Sequence, residues 1–194
     1  MAAFSLIELL FALGLAATIG AVSLPQAWMA IDDARAVGAA RYLATRLQRT
    51  RMEAIVRNSS VALRVTRSGS DYWLDEFVDG DGDGVLSRDI RSGIDTPVSP
   101  QERIDDRFAG VTFGALPGLP PIDVASAAPG ADPIRLGSSD MAVFTPTGTS
   151  TSGSLYLLGR RNLQLAVRIY GDTGKTRALR FHARTQQWIP LSSS

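Results

Sequence analysis

The hydrophobic pattern changes twice along the chain. Residues 4–24, FSLIELLFALGLAATIGAVSL, are apolar with Glu8 as the single charge. As a helix rising ~1.5 Å per residue, such a run covers roughly 30 Å, the thickness of a bilayer's hydrocarbon core, so a membrane-spanning helix is expected. After Pro25 the run becomes amphipathic. In residues 34–57, Val37, Ala40, Leu43, Leu47 and Ala54, with Ala44 and Ile55 beside them, recur at three- and four-residue steps and form one apolar stripe. Arg35, Arg41, Arg46, Arg49 and Arg57 fall mostly away from the stripe and are expected on a solvated surface. Asn58-Ser59-Ser60 supplies a stop. One helix from about residue 4 to about residue 57 is therefore predicted, with Pro25 expected to kink or locally melt it.

From Val61 the period becomes strand-like. Segments rich in β-formers at 61–66, 72–78, 111–113, 141–144, 154–158, 163–170, 176–181 and 187–189 alternate with turn residues. In the longest, Leu163, Leu165, Val167 and Ile169 face one way and Gln164, Arg168 and Tyr170 the other, as in a half-buried antiparallel strand. The Pro/Ala/Gly-rich stretch 115–133 has no periodicity and is expected to be a mobile loop. The predicted fold is α+β: a long N-terminal helix, membrane-spanning in its first half, packed on a small antiparallel β-sheet domain.

Composition narrows the function classes. The chain has no cysteine, which excludes disulfides, thiolate metal sites and cysteine nucleophiles. A single histidine, His182, and no paired acids beside an obvious pocket leave no nucleophile–base set, so no enzyme activity is expected. Twenty Lys+Arg against nineteen Asp+Glu nearly balance, but not evenly along the chain. From Leu155 onward Arg160, Arg161, Arg168, Lys175, Arg177, Arg180 and Arg184 stand against Asp172 alone, a surplus of six that leaves the rest at −5.

A cleaved secretory signal would carry a basic n-region and a shorter apolar core, and neither is present. Instead Ala3-Phe4-Ser5-Leu6-Ile7-Glu8-Leu9-Leu10 resembles the processing signal of type IV pilins and type II secretion pseudopilins. That resemblance implies cleavage by a prepilin peptidase between Ala3 and Phe4, methylation of the new amine of Phe4, and a role for Glu8 in filament assembly, paired with that amine on a neighbouring subunit. In order, RMEAIVRNSSVALRV, DGDGDG, VFTPTGTSTSG and VRIYGDTGKTRALRF resemble the minor pseudopilin H group and its pilus relative FimT. The resemblance implies a pilin-like subunit at or near the tip of a periplasmic pseudopilus that drives export of folded proteins. Its partners would be other pseudopilins or pilins, in a hetero-oligomeric filament. It also implies a single-pass protein of the inner membrane: leader 1–3, filament-core or membrane half of the helix 4–24, amphipathic half 25–58, and a periplasmic β-rich domain 59–194.

Three stretches carry candidate chemistry. Asp79, Asp81 and Asp83 have the D-x-D-x-D-G spacing that presents carboxylates to Ca²⁺, but the bidentate Glu of an EF-hand's twelfth position is replaced by Ile90, with Asp89 one place early. A polar glycine turn between strands is the favoured reading and calcium the alternative; no other cofactor is expected. Gly171-Asp172-Thr173-Gly174-Lys175-Thr176 ends like a phosphate-binding loop, yet the motif's first glycine would be Ile169 and a strand follows, so a hairpin turn is expected. Lys175 and Arg177 resemble the G-R-x-R element of FimT, which implies DNA binding for uptake as an alternative function; docking against acidic neighbouring subunits, or simple solvation, is the favoured reading of the same cations.

Overall fold

The computed structural model describes residues 5–124 and 126–191, apart from the side chains of 19, 20 and 22–25. Helix α1 runs without interruption over Leu6–Arg57, 52 residues, or ~78 Å. The Ser5 hydroxyl caps its start by accepting the Ile7 N–H at 3.3 Å. Asn58, in the left-handed conformation, ends it by returning its N–H to Ala54 and Ile55. The helix continues through residue 25, where a kink was expected.

Strands β1 (Val61–Ser68) and β2 (Asp71–Val78) form a hairpin, followed by the short helix α2 (Ser87–Ser92), β3 (Thr96–Pro97) and the single turn α3 (Ile104–Arg107). Then come β4 (Thr112–Phe113), β5 (Ile134–Arg135), β6 (Met141–Phe144), β7 (Gly153–Gly159), a 3-10 turn at Arg160–Asn162, β8 (Leu163–Tyr170), β9 (Lys175–His182) and β10 (Gln187–Pro190). The strands make two antiparallel sheets. One has the order β3-β2-β1-β6 and the other β10-β9-β8-β7-β4, with β5 paired to the opposite end of β7. All eight predicted strands are present; the two-residue β3 and β5 and the short helices were too brief to show a period.

The second half of α1 lies against both sheets. Ala36, Ala39, Ala40, Leu43, Leu47 and Ala54 are at most 1% exposed and join Leu63 and Val65 of β1, Leu155 and Leu157 of β7, and Leu165, Val167 and Ile169 of β8 in one core. Alanine on this face allows close approach: a Cβ built on Gly159 of β7 would meet the Ala36 Cβ at 3.0 Å. Each sheet's other face is covered by a loop. Val85 and Ile90 pack over Ala62, Phe77 and Met141 of the first sheet. Leu116, Leu119 and Ile122 pack over Tyr156, Ala166, Phe181 and Trp188 of the second. The 115–133 stretch is thus tied down rather than loose. Trp188 donates to the Pro120 carbonyl at 3.0 Å, Gln164 accepts the Leu116 N–H at 2.9 Å, and Arg168 pairs with Asp123 at 2.9 Å.

Two further expectations are corrected. Among the described residues no helix is long and apolar enough to cross a membrane, so the membrane-spanning first half, the transmembrane helix and the placement as a single-pass inner-membrane protein with a periplasmic domain are not carried by the structure. The continuous stretch of described side chains there, residues 5–18, covers roughly 20 Å at ~1.5 Å per residue, against roughly 30 Å of hydrocarbon, and contains Glu8. The solvated arginine face also needs revision. Arg46 turns inward to pair with Glu76 at 3.0 Å and Glu102 at 3.3 Å. Thr50 and Ser99 donate to Glu76 at 2.7 and 3.0 Å, and the Tyr42 hydroxyl donates to Glu102 at 2.7 Å. Burial, and then the hydrogen bond to Glu102, hold the Tyr42 phenol above its ordinary value.

This cluster joins α1 to β2 and to the segment between β3 and α3. Arg46→Met is expected to leave Glu76 buried without its cation and to cost about 3 kcal/mol in urea unfolding, with part of the loss recovered in Arg46→Met/Glu76→Gln.

Candidate functional site

Three surfaces bear the residues singled out in the sequence. The first is the free half of α1. Leu6, Ile7, Leu9, Leu10, Phe11, Leu13 and Leu15 are all exposed, Leu6 by 76% and Phe11 by 74%. Glu8 is exposed too and sits in the first helical turn, three residues after the Ser5 cap. There a carboxylate lies at the positive end of the helix dipole, which rationalises an acid in an apolar run even without a partner. Ala3 and Phe4, the expected cleavage pair, lie outside the described residues.

The second is the acidic loop after β2. One carboxylate oxygen from each of Asp79, Asp81 and Asp83 falls within 4.8 Å of the others, the one such group among the described residues, and together they could hold a divalent ion. The same carboxylates also build the loop. Asp79 accepts the N–H groups of Asp81 at 3.2 Å, Gly82 at 2.7 Å and Gly84 at 3.0 Å. Asp95, 1% exposed, accepts those of Gly80 at 3.2 Å and Leu86 at 2.9 Å from the far side. Asp83 is bound by Arg88, which also reaches Asp89 at 3.2 Å. Desolvation, then the neighbouring Asp81 carboxylate, push Asp83 above the usual carboxylate value. Ile90, at the position where an EF-hand would need a ligand, is instead packed on the first sheet. Asp95 was missed in the sequence because its partners lie nine and fifteen residues away.

The third is the basic end of the second sheet. Lys175 and Arg177 are exposed on one face of β9, two residues apart. The turn before them closes as a hairpin, the Gly174 N–H returning to the Tyr170 carbonyl at 2.8 Å. It is held from behind by α1, where Gln48 donates to the Gly174 carbonyl at 3.0 Å and to Thr176 at 3.1 Å. Arg168 lies beside Arg177 in register, and Arg135 lies on β5 two strands further along. Alternation in β8 already placed Arg168 on this face. Nothing in the sequence pointed to Arg135, because β5 is only two residues long.

One long helix thus packs its far half on two antiparallel sheets and leaves the apolar side chains from Leu6 to Leu15 exposed. The family model described as type II transport protein GspH matches residues 39–175, and the chain belongs to that family. It is thereby a minor pseudopilin of the type II secretion system, a structural subunit rather than an enzyme. Two solved structures are similar, both of the minor pseudopilin EpsH from the type II secretion system of Vibrio cholerae. One is 14% identical with a TM-score of 0.47, covering 75% of this chain and 97% of that one. The other, a crystal structure, is 15% identical with a TM-score of 0.44, covering 82% and 97%. No individual curated protein matches the chain.

Asp79→Ala is expected to leave three loop amides without their acceptor and to lower stability by about 2 kcal/mol in thermal unfolding. Millimolar Ca²⁺ tests the second use of the same carboxylates. An ion seated there raises the unfolding temperature of the wild type but not of Asp81→Asn/Asp83→Asn.

Proposed function

We propose that this chain enters a hetero-oligomeric pseudopilus at or near its tip, with other pseudopilins as neighbours, and that the bare half of α1 is the surface through which it assembles. The observation that carries the reading is the family match over residues 39–175. The apolar side chains from Leu6 to Leu15 support it, since a run of this kind exposed on a helix marks an association surface. Removal of residues 1–3 by prepilin peptidase would free the Phe4 amine, and the Glu8 carboxylate would pair with that amine on the adjacent helix. Within a bundle of apolar helices an unpaired carboxylate is costly, so the pair favours the helix register that brings the two charges together. A filament containing this subunit would push folded proteins outward.

Loss of the chain is expected to stop export of the secreted proteins, with wild type restoring it. Glu8→Ala should accumulate normally yet fail to cross-link to the other pseudopilins, and unchanged cross-linking would remove the pairing from the account. Mass spectrometry of the protein from its native cell should show a methylated Phe4 at the N-terminus.

A further inference from the structure

The outer face of the second sheet is divided in two. One half is apolar and covered by the 115–122 loop, as described. Across the other half a single register row runs from strand to strand: Arg135 of β5 opposite Ser154 of β7, Ser154 opposite Arg168 of β8, and Arg168 opposite Arg177 of β9. With neighbouring strands ~4.8 Å apart, the row covers roughly 14 Å. All four point away from α1, because Leu155, Val167 and Ile169, the residues that alternate with Ser154 and Arg168, belong to the helix-side core.

The row is built, not incidental. Ser154 is 2% exposed and Arg168 is 6% exposed, so a hydroxyl and a guanidinium are held almost wholly inside the protein. Both line a hollow of about 590 Å³ whose walls include Arg135, Ser126, Ser138 and Asp132. Arg168 spends its Nε and Nη2 edge on Asp123 and lies 5.6 Å from the Tyr170 ring, which leaves N–H donors of its fork for a ligand in the hollow. A second hollow of about 510 Å³ is lined by Tyr170 together with Lys175, Arg177 and Asp172. Arg135, Lys175 and Arg177 have no ion-pair partner among the described residues.

We infer that this row is a docking strip for an extended acidic segment of a partner protein. One carboxylate side chain sits in the larger hollow over Ser154, between Arg135 and Arg168. A second sits against Lys175 and Arg177. The two positions are two strand spacings apart, ~10 Å, close to the ~9 Å repeat of a segment extended as polyproline II, whose side chains at i and i+3 lie on one side. Planar guanidinium groups suit carboxylates through paired N–H donors, and the hydroxyls of Ser154 and Ser138 are placed to donate as well, that of Ser126 being engaged with the Asp123 carbonyl. The charge balance selects a short acidic peptide over a polyphosphate. Four cations (Arg135, Arg168, Lys175 and Arg177) stand against three carboxylates (Asp123, Asp132 and Asp172), whereas nucleic-acid affinity grows with many uncompensated phosphate contacts. The strip lies apart from the bare half of α1, so its test succeeds or fails independently of the assembly reading.

The test uses the full chain and peptides carrying a neutral dye, read by fluorescence anisotropy at low salt. An acetylated Glu-Ser-Ser-Glu peptide is expected to bind and its Gln-Ser-Ser-Gln counterpart not to. Arg135→Glu/Arg177→Glu, at two exposed positions with no ion-pair partner among the described residues, should weaken binding at least about tenfold, and Arg184→Glu, in the turn between β9 and β10, should not. Equal binding of both peptides, no binding of the acidic one, or an unchanged affinity in the double variant overturns the proposal. So does an oligothymidylate that binds more tightly than the acidic peptide and is lost in the double variant, which would make the strip a nucleic-acid surface.

Discussion

The close approach of α1 to two separate sheets is the constraint on which the rest of the fold depends. The sheets do not continue into one another, and the core they share is filled from the helix side by Ala36, Ala39, Ala40, Leu43, Leu47 and Ala54. Small side chains at four of these six places bring the helix backbone near the strands, and Gly159 extends the same closeness to β7. At this separation a larger residue has no room to collapse into, so the face tolerates little change in volume. Leu43 and Leu47, fully buried, fill the space that the alanines leave.

Polar groups at the edge of that face do a second job. Arg46 and Thr50 lie just off the apolar stripe and would clash in character with a dry core. The chain turns them onto Glu76 and Glu102, whose carboxylates then need the cation as much as it needs them. Buried pairs of this kind add less to stability than their geometry suggests, because desolvation offsets most of the attraction. Their larger effect is to fix one arrangement, since any slip of α1 along β2 would leave charges unmatched. The loops over the outer sheet faces follow the same logic. Asp79 and Asp95 satisfy the amides of the glycine-rich turn, while Gln164 and Arg168 hold the 115–133 stretch, and a glycine- or proline-rich sequence becomes ordered through side chains elsewhere in the chain.

Regular elements were the legible part. Helix α1 and eight of the ten described strands follow from periods of 3.6 and 2 and from capping residues such as Asn58. The stripe on α1 was readable apart from Ala36 and Ala39, whose small side chains weigh little in a hydrophobic pattern, and Ile55, expected beside it, is instead exposed. What escaped was everything decided by long-range pairing. Arg46 reads as a solvent-facing arginine until Glu76 and Glu102, thirty and more residues away, are brought beside it. The 115–133 stretch reads as a loose loop until Trp188, Gln164 and Arg168 reach it. At the candidate sites, Asp79, Asp81, Asp83, Lys175 and Arg177 were visible as local motifs. Asp95, Ser154 and Arg135 were not, because strand register and loop closure alone bring them into place. The bilayer expectation rested on the length of an apolar run, and the described helix does not carry that length.

The reach of α1 has a mechanical side. Among the described residues its first ion pairs with the rest of the chain are those of Asp32 with Arg161 and Asp33 with Arg180. From there to Ala54 the helix is held along ~33 Å of its length. Tension applied to the free end therefore enters at these two pairs and is shared by every contact between them and the last turn. Such an interface resists in shear, with its contacts loaded in parallel, whereas a helix docked only at its tip would be peeled off one residue at a time. The free half is in effect a handle, and the head it carries is fastened along the handle's length rather than at its tip.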